Sequence, residues 1–342
     1  GCGPVPSGRR DFIKATGLTA AMLMAGRLKV MAGPFSAADF DQIIPADKKL
    51  SKDWIASLYA RGEALSFTSG KKDYIGMPIS GIGTGQVYLG GDGKLWCWNL
   101  TAVKDKKATP KGDRYMKPDD AKPLAGQGFA LEVNGKVHTL DAKGFKNVRF
   151  TNRYPMALVD YADAASPVKV QLEAYTPFIP LNRDDSSYPV VVMRYTVTNS
   201  SSADQEVAIV GWINNIWGTK AKKVSVYREL EDMAAVECSA GNEGSNSMAL
   251  GIFGKEKPEL VDLEKKNPGV EGVFAPKGKV SNGKQAVGTT MASIGRKLTL
   301  KPGESQTVSF ALSWRLTNVN YGVRFGRKGT APGRNHYATL WA

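Results

Sequence analysis

The side chains in this sequence with the most obvious chemical potential are the adjacent carboxylates Asp184 and Asp185. They stand in the segment Tyr175-Thr-Pro-Phe-Ile-Pro-Leu-Asn-Arg-Asp-Asp-Ser-Ser187. Two carboxyl groups held at a suitable separation can do acid–base work, one accepting a proton while the other donates one. Side chains one position apart diverge, however, and an Asp-Asp-Ser-Ser run between two strand-like segments reads first as a solvated turn or cap. Glu229, Glu231 and Asp232 lie in a mixed polar stretch and receive the same reading. Gly81-Ile82-Gly83-Thr84-Gly85 invites comparison with a phosphate-binding loop. Its spacing refuses the comparison: no third glycine follows at the required position, no Lys-Ser/Thr pair closes the loop, and a strand rather than a helix comes next. The sequence holds no Gly-x-Ser-x-Gly, no His-Glu-x-x-His and no calcium-binding loop.

Metal and redox chemistry find equally little. The histidines, His138 and His336, are about two hundred positions apart, and Cys2, Cys97 and Cys238 make no Cys-x-x-Cys. That is neither a zinc ligand set nor a disulfide framework. Trp96, Trp98, Trp212 and Trp217 could stack on sugar rings, but singly each reads first as a core or interface residue. The expectation is therefore a chain without catalytic residues, cofactor or metal of its own.

The net charge is +14 over 342 residues, of which Arg9, Arg10, Lys14, Arg27 and Lys29, less Asp11, give +4 before residue 33. Of the remaining +10, a net +3 falls between Lys104 and Lys122, a stretch with seven basic and four acidic residues. A nucleic-acid footprint would gather basic and stacking residues on one face, so this loop reads as solvated surface and no nucleic-acid partner is expected. Arg9-Arg10-Asp11-Phe12-Ile13-Lys14 leads into the mildly apolar run Ala15 to Gly26. Paired arginines, a short apolar segment and small residues ending at Ala32 form a twin-arginine export signal, here assigned to residues 1–32. Arg9, Arg10, Phe12 and Lys14 are its reading residues for the twin-arginine translocase, and the expected location is periplasmic or extracellular in a bacterium. Arg27 and Lys29 interrupt the approach to cleavage, and no initiator Met precedes Gly1, as in a fragment.

Elements that could position any site are mostly strands. After a linker at 33–50, Ser51 caps a helical pattern over Lys52 to Glu63, with Trp54, Ile55 and Leu58 on one face. Val87, Leu89, Leu95 and Cys97 alternate across Gly90-Gly91-Asp92-Gly93, a hairpin with a turn tolerant of positive φ. Phe129–Val133 and Lys136–Leu140 flank an Asn134-Gly135 turn. Val168–Tyr175, Tyr188–Thr198, Glu206–Ile213 and Ser247–Phe253 also read as strands, as do Arg296–Leu300 and Gln306–Trp314 around a Pro-Gly turn. Lys255 to Gly288 reads as weakly structured. Many short strands with turn chemistry between them predict a mainly β, antiparallel two-sheet sandwich.

Beyond pattern, Ser57-Leu-Tyr-Ala-Arg-Gly-Glu63, Tyr74-Ile-Gly-Met-Pro78 and the stretch from Gly81 to Asn99 resemble the amino-terminal domain of glycoside hydrolase family 116. That family includes bacterial β-glucosidases and the non-lysosomal glucosylceramidase. Thr176 to Ser186, Pro189 to Asn199, and Leu300 to Trp314 agree in order and spacing, so the resemblance runs from about residue 50 to the end. It implies a supersandwich over 51–320, with 321–342 opening a linker to an (α/α)₆ toroid absent from this chain. In the family that toroid carries a glutamate nucleophile and an aspartate acid/base for retaining hydrolysis of a β-glycoside, and no position here matches them. The toroid of the same parent chain is then the expected partner, and Gly81, Gly83, Gly85, Asp92 and Trp98 are assigned to packing against it. A free-standing sandwich that binds carbohydrate without hydrolysing it is the alternative, and a scaffold without ligand a third.

Overall fold

A computed structural model describes residues 49–60, 62–68, 75–99, 126–217, 223–241, 246–263, 269–276, 279–316, 319–322 and 330–333. The export-signal residues Arg9, Arg10, Phe12 and Lys14, the basic loop from Lys104 to Lys122 and His336 lie outside the described residues, as do the side chains of Trp96, Cys97 and Trp98. The chain divides into two compact units, Gly1–Glu63 and Ala64–Ala342. In the first, helix α1 (Lys52–Tyr59) starts where the cap was expected, with Ser51 Oγ accepting from Trp54 N at 3.1 Å. It stops one turn short of Glu63, at Ala60 in extended conformation, before the helix-weakening Gly62.

The second unit is built from strands. In chain order they are β1 (Leu65–Phe67), β2 (Gly76–Pro78), β3 (Gln86–Gly90), β4 (Leu95–Asn99), β5 (Gln127–Val133), β6 (Lys136–Thr139) and β7 (Asn147–Arg153). Then come β8 (Met156–Ala162), β9 (Val168–Tyr175), β10 (Val190–Asn199), β11 (Gln205–Asn214), β12 (Val224–Glu229) and β13 (Met233–Ser239). The last are β14 (Ser247–Phe253), β15 (Leu260–Asp262), β16 (Gln285–Val287), β17 (Met291–Leu300), β18 (Ser305–Arg315), β19 (Val319–Gly322) and β20 (Thr330–Gly333), with a short helix α2 at Gly269–Gly272. A ten-stranded sheet runs β1-β7-β8-β9-β10-β18-β14-β13-β12-β16 and a five-stranded sheet β15-β17-β11-β5-β6. Two smaller sheets are β2-β3-β4 and β19-β20, and the pairings are antiparallel. This is the predicted antiparallel β-sandwich.

Alternation places the core. On β10, Val191, Met193, Tyr195 and Val197 point inward, while Arg194, Thr196 and Thr198 point out; Arg194 binds Glu173 of β9, and the two threonines join Thr307 and Ser305 of β18 through hydroxyl pairs. Between the two large sheets Phe129, Tyr195 and Phe310 form a ring cluster, with centroids 5.0, 5.1 and 6.2 Å apart. Burying each such side chain contributes roughly 1.5–3 kcal/mol. Val207-Ala-Ile-Val-Gly-Trp-Ile213 of β11 is apolar almost throughout because both its faces are covered. Val207, Ile209 and Ile213 face the main core, while Ala208 and Val210 pack with Leu260, Val273 and Met291. The interval read as weakly structured, Lys255 to Gly288, therefore supplies the cover for the outer face of β11 through β15 and α2.

Strands β7, β8, β12 and β13 are not among those expected from the sequence. Their outward-facing Arg149, Asp160, Arg228 and Glu237 pair across strands, Arg149–Asp160 at 2.8 Å and Arg228–Glu237 at 2.9 Å.

Candidate docking surface

The loop between β2 and β3 is held by hydrogen bonds on both sides. Thr84 is buried; its Oγ1 donates to Gly81 O at 2.8 Å, and its own carbonyl accepts from the indole Nε1 of Trp314 at 2.8 Å. Ser80 Oγ donates to Gly85 O at 2.8 Å. Gly83 and Gly85 adopt φ of 73° and 115°, the region L side chains avoid. Gly81 serves a different need. A Cβ there would lie 2.3 Å from Tyr188 O and 3.1 Å from Ser186 O, because Ile82 N donates to Ser186 O at 2.8 Å.

The partner of this loop is the segment Thr176–Ser187, which holds the two adjacent carboxylates. They form no acid–base pair. Asp185 opens a 3₁₀ turn at Asp185–Ser187 and accepts from Asn182 Nδ2 at 2.6 Å, whereas Asp184 accepts from Arg183 Nε at 3.1 Å. Burial, with the carboxylate of Asp185 second, pushes the Tyr188 phenol above its ordinary value. Ser186 closes the loop by donating to Ile179 O at 2.9 Å and accepting from Ile179 N at 2.8 Å.

A rigid frame thus presents apolar side chains to solvent. Ile82, Phe178 and Ile179 are exposed, the ring of Phe178 lies 6.2 Å from that of exposed Tyr154, and Met156 beside Tyr154 is exposed as well. Leu181 is 108 % exposed and sits at φ 66°. Left-handed backbone costs an L residue roughly 1–2 kcal/mol, and none of the described residues covers the side chain that incurs it. Exposed apolar side chains grouped on one hydrogen-bonded frame make this the candidate interaction surface.

Of the residues assigned to packing, Gly81, Gly83 and Gly85 meet in this rim. Asp92 sits on the turn at the other end of β3, where its Oδ2 is 3.2 Å from Lys94 Nζ and its carbonyl accepts from Tyr161 OH at 3.1 Å. Trp98 falls on β4, with its side chain outside the described residues. Trp314, Ser186 and Leu181, on which the rim depends, were not singled out. Long-range hydrogen bonds and a left-handed leucine leave no local sequence signal.

A broad concavity of about 510 Å³ lies on the outer face of β7–β10. Arg149 and Asp160 there satisfy one another, with Arg149 donating to Asp160 Oδ2 at 2.8 and 2.9 Å and Gln171 Nε2 to Asp160 Oδ1 at 2.7 Å, and Lys169 lines the same concavity. Among the described residues no group of three or more His, Cys, Asp or Glu could hold a metal ion.

No curated protein matches the chain. Similar solved structures include a bacterial glucoamylase complexed with acarbose, 9 % identical with a TM-score of 0.42, covering 75 % of this chain and 34 % of that one. Others are a GH36 α-galactosidase from Geobacillus stearothermophilus (9 %, 0.31, covering 73 % and 41 %) and a GalM/aldose epimerase homologue from C. elegans (9 %, 0.34, covering 72 % and 99 %). The chain spans about a third of the glucoamylase's length. Residues 76–342 match the family model described as beta-glucosidase 2, glycosyl-hydrolase family 116 N-term.

Proposed function

The chain belongs to glycoside hydrolase family 116 through the family's N-terminal domain, and from that membership we propose that it is the non-catalytic part of an exported β-glycosidase. The parent enzyme is of β-glucosidase or glucosylceramidase type. It cleaves with retention, through two carboxyl groups about 5–5.5 Å apart on a separate helical toroid. The sandwich contributes a rigid platform that docks that toroid, and the arginine pair Arg9-Arg10 routes the folded protein through the twin-arginine translocase to the periplasm or beyond.

One observation carries the docking role: the exposed set Ile82, Phe178, Ile179 and Leu181, mounted on backbone that hydrogen bonds fix. Docking would cover these side chains, at about 25 cal/mol per Å² of apolar surface removed from water.

The test has two arms. The 342-residue chain, mixed with the separately produced catalytic part of the same gene, is expected to co-elute with it on size exclusion. Phe178→Asp with Leu181→Asp should abolish the complex. Alone, the chain should leave an aryl β-glucoside intact. Hydrolysis by the chain alone, or a complex indifferent to charges on the rim, would overturn the proposal.

A further inference from the structure

A second feature of the sandwich lies away from the docking rim, on the outer face of the five-stranded sheet. Trp212 of β11 is in register with Gly128 of β5. A Cβ on Gly128 would come within 2.2 Å of Trp212 Cζ2, so the glycine is what lets the indole lie over the neighbouring strand. Beyond β6 the chain turns at Asp141, a carboxylate only 8 % exposed. Its Oδ1 is saturated, accepting from Thr139 Oγ1 at 2.7 Å, Lys143 N at 2.8 Å and Gly144 N at 3.0 Å. Its Oδ2 faces Lys94 Nζ at 3.8 Å, too far for a hydrogen bond. Lys94 also approaches Asp92 Oδ2 at 3.2 Å. Between these groups is a notch of about 60 Å³ that Gln127 also lines.

We propose that this notch is a carbohydrate subsite that takes the hydroxyl-bearing edge of a neutral sugar. A hydroxyl oxygen set off the line between Asp141 Oδ2 and Lys94 Nζ, at about 2.8 Å from each, accepts from the ammonium and donates to the carboxylate. One wall is an aromatic ring, the surface that suits the apolar C–H face of a sugar. The notch's volume is that of about two waters, so it accepts one or two hydroxyls or a hydroxymethyl group rather than a whole ring. Charge sets the class: among the described residues two carboxylates, Asp92 and Asp141, face the ammonium of Lys94, and an anionic sugar would meet net repulsion from them. Three donors already fix the Asp141 carboxylate, so binding requires no reorganisation of that group. The inference is independent of the docking proposal, because none of its residues belongs to the rim.

The whole 342-residue chain serves for the test, by saturation-transfer NMR and calorimetric titration with methyl β-glucoside, cellobiose and glucuronate. The neutral sugars are expected to bind saturably with Kd on the order of 1–10 mM, and glucuronate at least about tenfold more weakly. Lys94→Met should weaken neutral-sugar binding about tenfold while leaving the melting profile near that of the parent chain. Trp212→Phe, which keeps a ring in the outer cluster, should also weaken it. No saturation by either neutral sugar up to about 100 mM, tighter binding of glucuronate, or unchanged binding by a folded Lys94→Met chain would each overturn the proposal.

Discussion

Trp314 and Thr84 are 230 residues apart in the chain and joined by a 2.8 Å hydrogen bond from indole Nε1 to carbonyl oxygen. Both partners are buried, so the carbonyl has no water to turn to if the indole is lost. Trp314→Phe keeps a large ring in the core but leaves Thr84 O unpaired, which should cost about 1–3 kcal/mol. The expected signature is local: amide exchange should accelerate over residues 80–86 more than in β9 or β10. Uniform exchange with unchanged stability would count against the bond as the fastening of this loop.

Gly81 and Gly83 separate two reasons for glycine within three positions. At Gly81 an alanine Cβ meets the backbone of Tyr188 at 2.3 Å, whereas at Gly83 nothing lies within 4 Å and only φ of 73° opposes substitution. Gly83→Ala should therefore cost about 1 kcal/mol. Gly81→Ala should cost about 2 kcal/mol or more, since backbone must move. Urea denaturation of both variants checks the order. A larger loss at Gly83 would mean that close packing at Gly81 is not what fixes the loop against the 3₁₀ turn.

How far this was legible in sequence follows from the range of each interaction. The Asn134-Gly135 hairpin, the Ser51 cap and the alternation of Val168–Tyr175 are local codes, and the structure has each of them. The family resemblance likewise rests on local strings and matches the family model. Strands β7 and β8 do carry the period-2 alternation, with Val148, Phe150, Val159 and Tyr161 inward against Arg149 and Asp160 outward, but no Asn-Gly or Pro-Gly turn joins them. Within 255–288, β15 and Val273 escaped because they are ordered by packing onto β11 and β17, and no periodicity of their own announces them. The rim was half visible: its glycines stood out, while exposed Leu181 looked like any loop leucine.

Leu181 offers a trade between stability and partnership. Its left-handed backbone and full exposure burden the isolated chain. Leu181→Gly relieves the strain of about 1–2 kcal/mol and loses up to about 1 kcal/mol to backbone entropy. The variant should melt no lower than the parent chain while binding the catalytic part at least about tenfold more weakly. A clear drop in melting temperature would show that the side chain serves the sandwich itself.

Alkaline pH should reveal the buried thiol of Cys238 on β13. Burial is the main cause that raises it from 9.0 to about 11, partly offset by the contact with Ser225 Oγ at 3.4 Å. The folded chain holds this proton more tightly than the unfolded one, so it binds more protons between those two values. Its stability is therefore intact below about pH 9 and falls as pH rises towards about 11, by on the order of 2–3 kcal/mol for two units. Tyr161 and Tyr195, whose phenols burial pushes well above 10.0, extend the fall at higher pH. Urea midpoints at pH 8, 9, 10 and 11 should decline from pH 9 in the parent chain. In Cys238→Ala the decline should begin only where the tyrosines of the unfolded chain ionise. At pH 8 iodoacetamide should leave Cys238 unmodified until the chain is unfolded. The same pH dependence in Cys238→Ala, or ready alkylation of the folded chain, would show that the thiol is not sealed in the core.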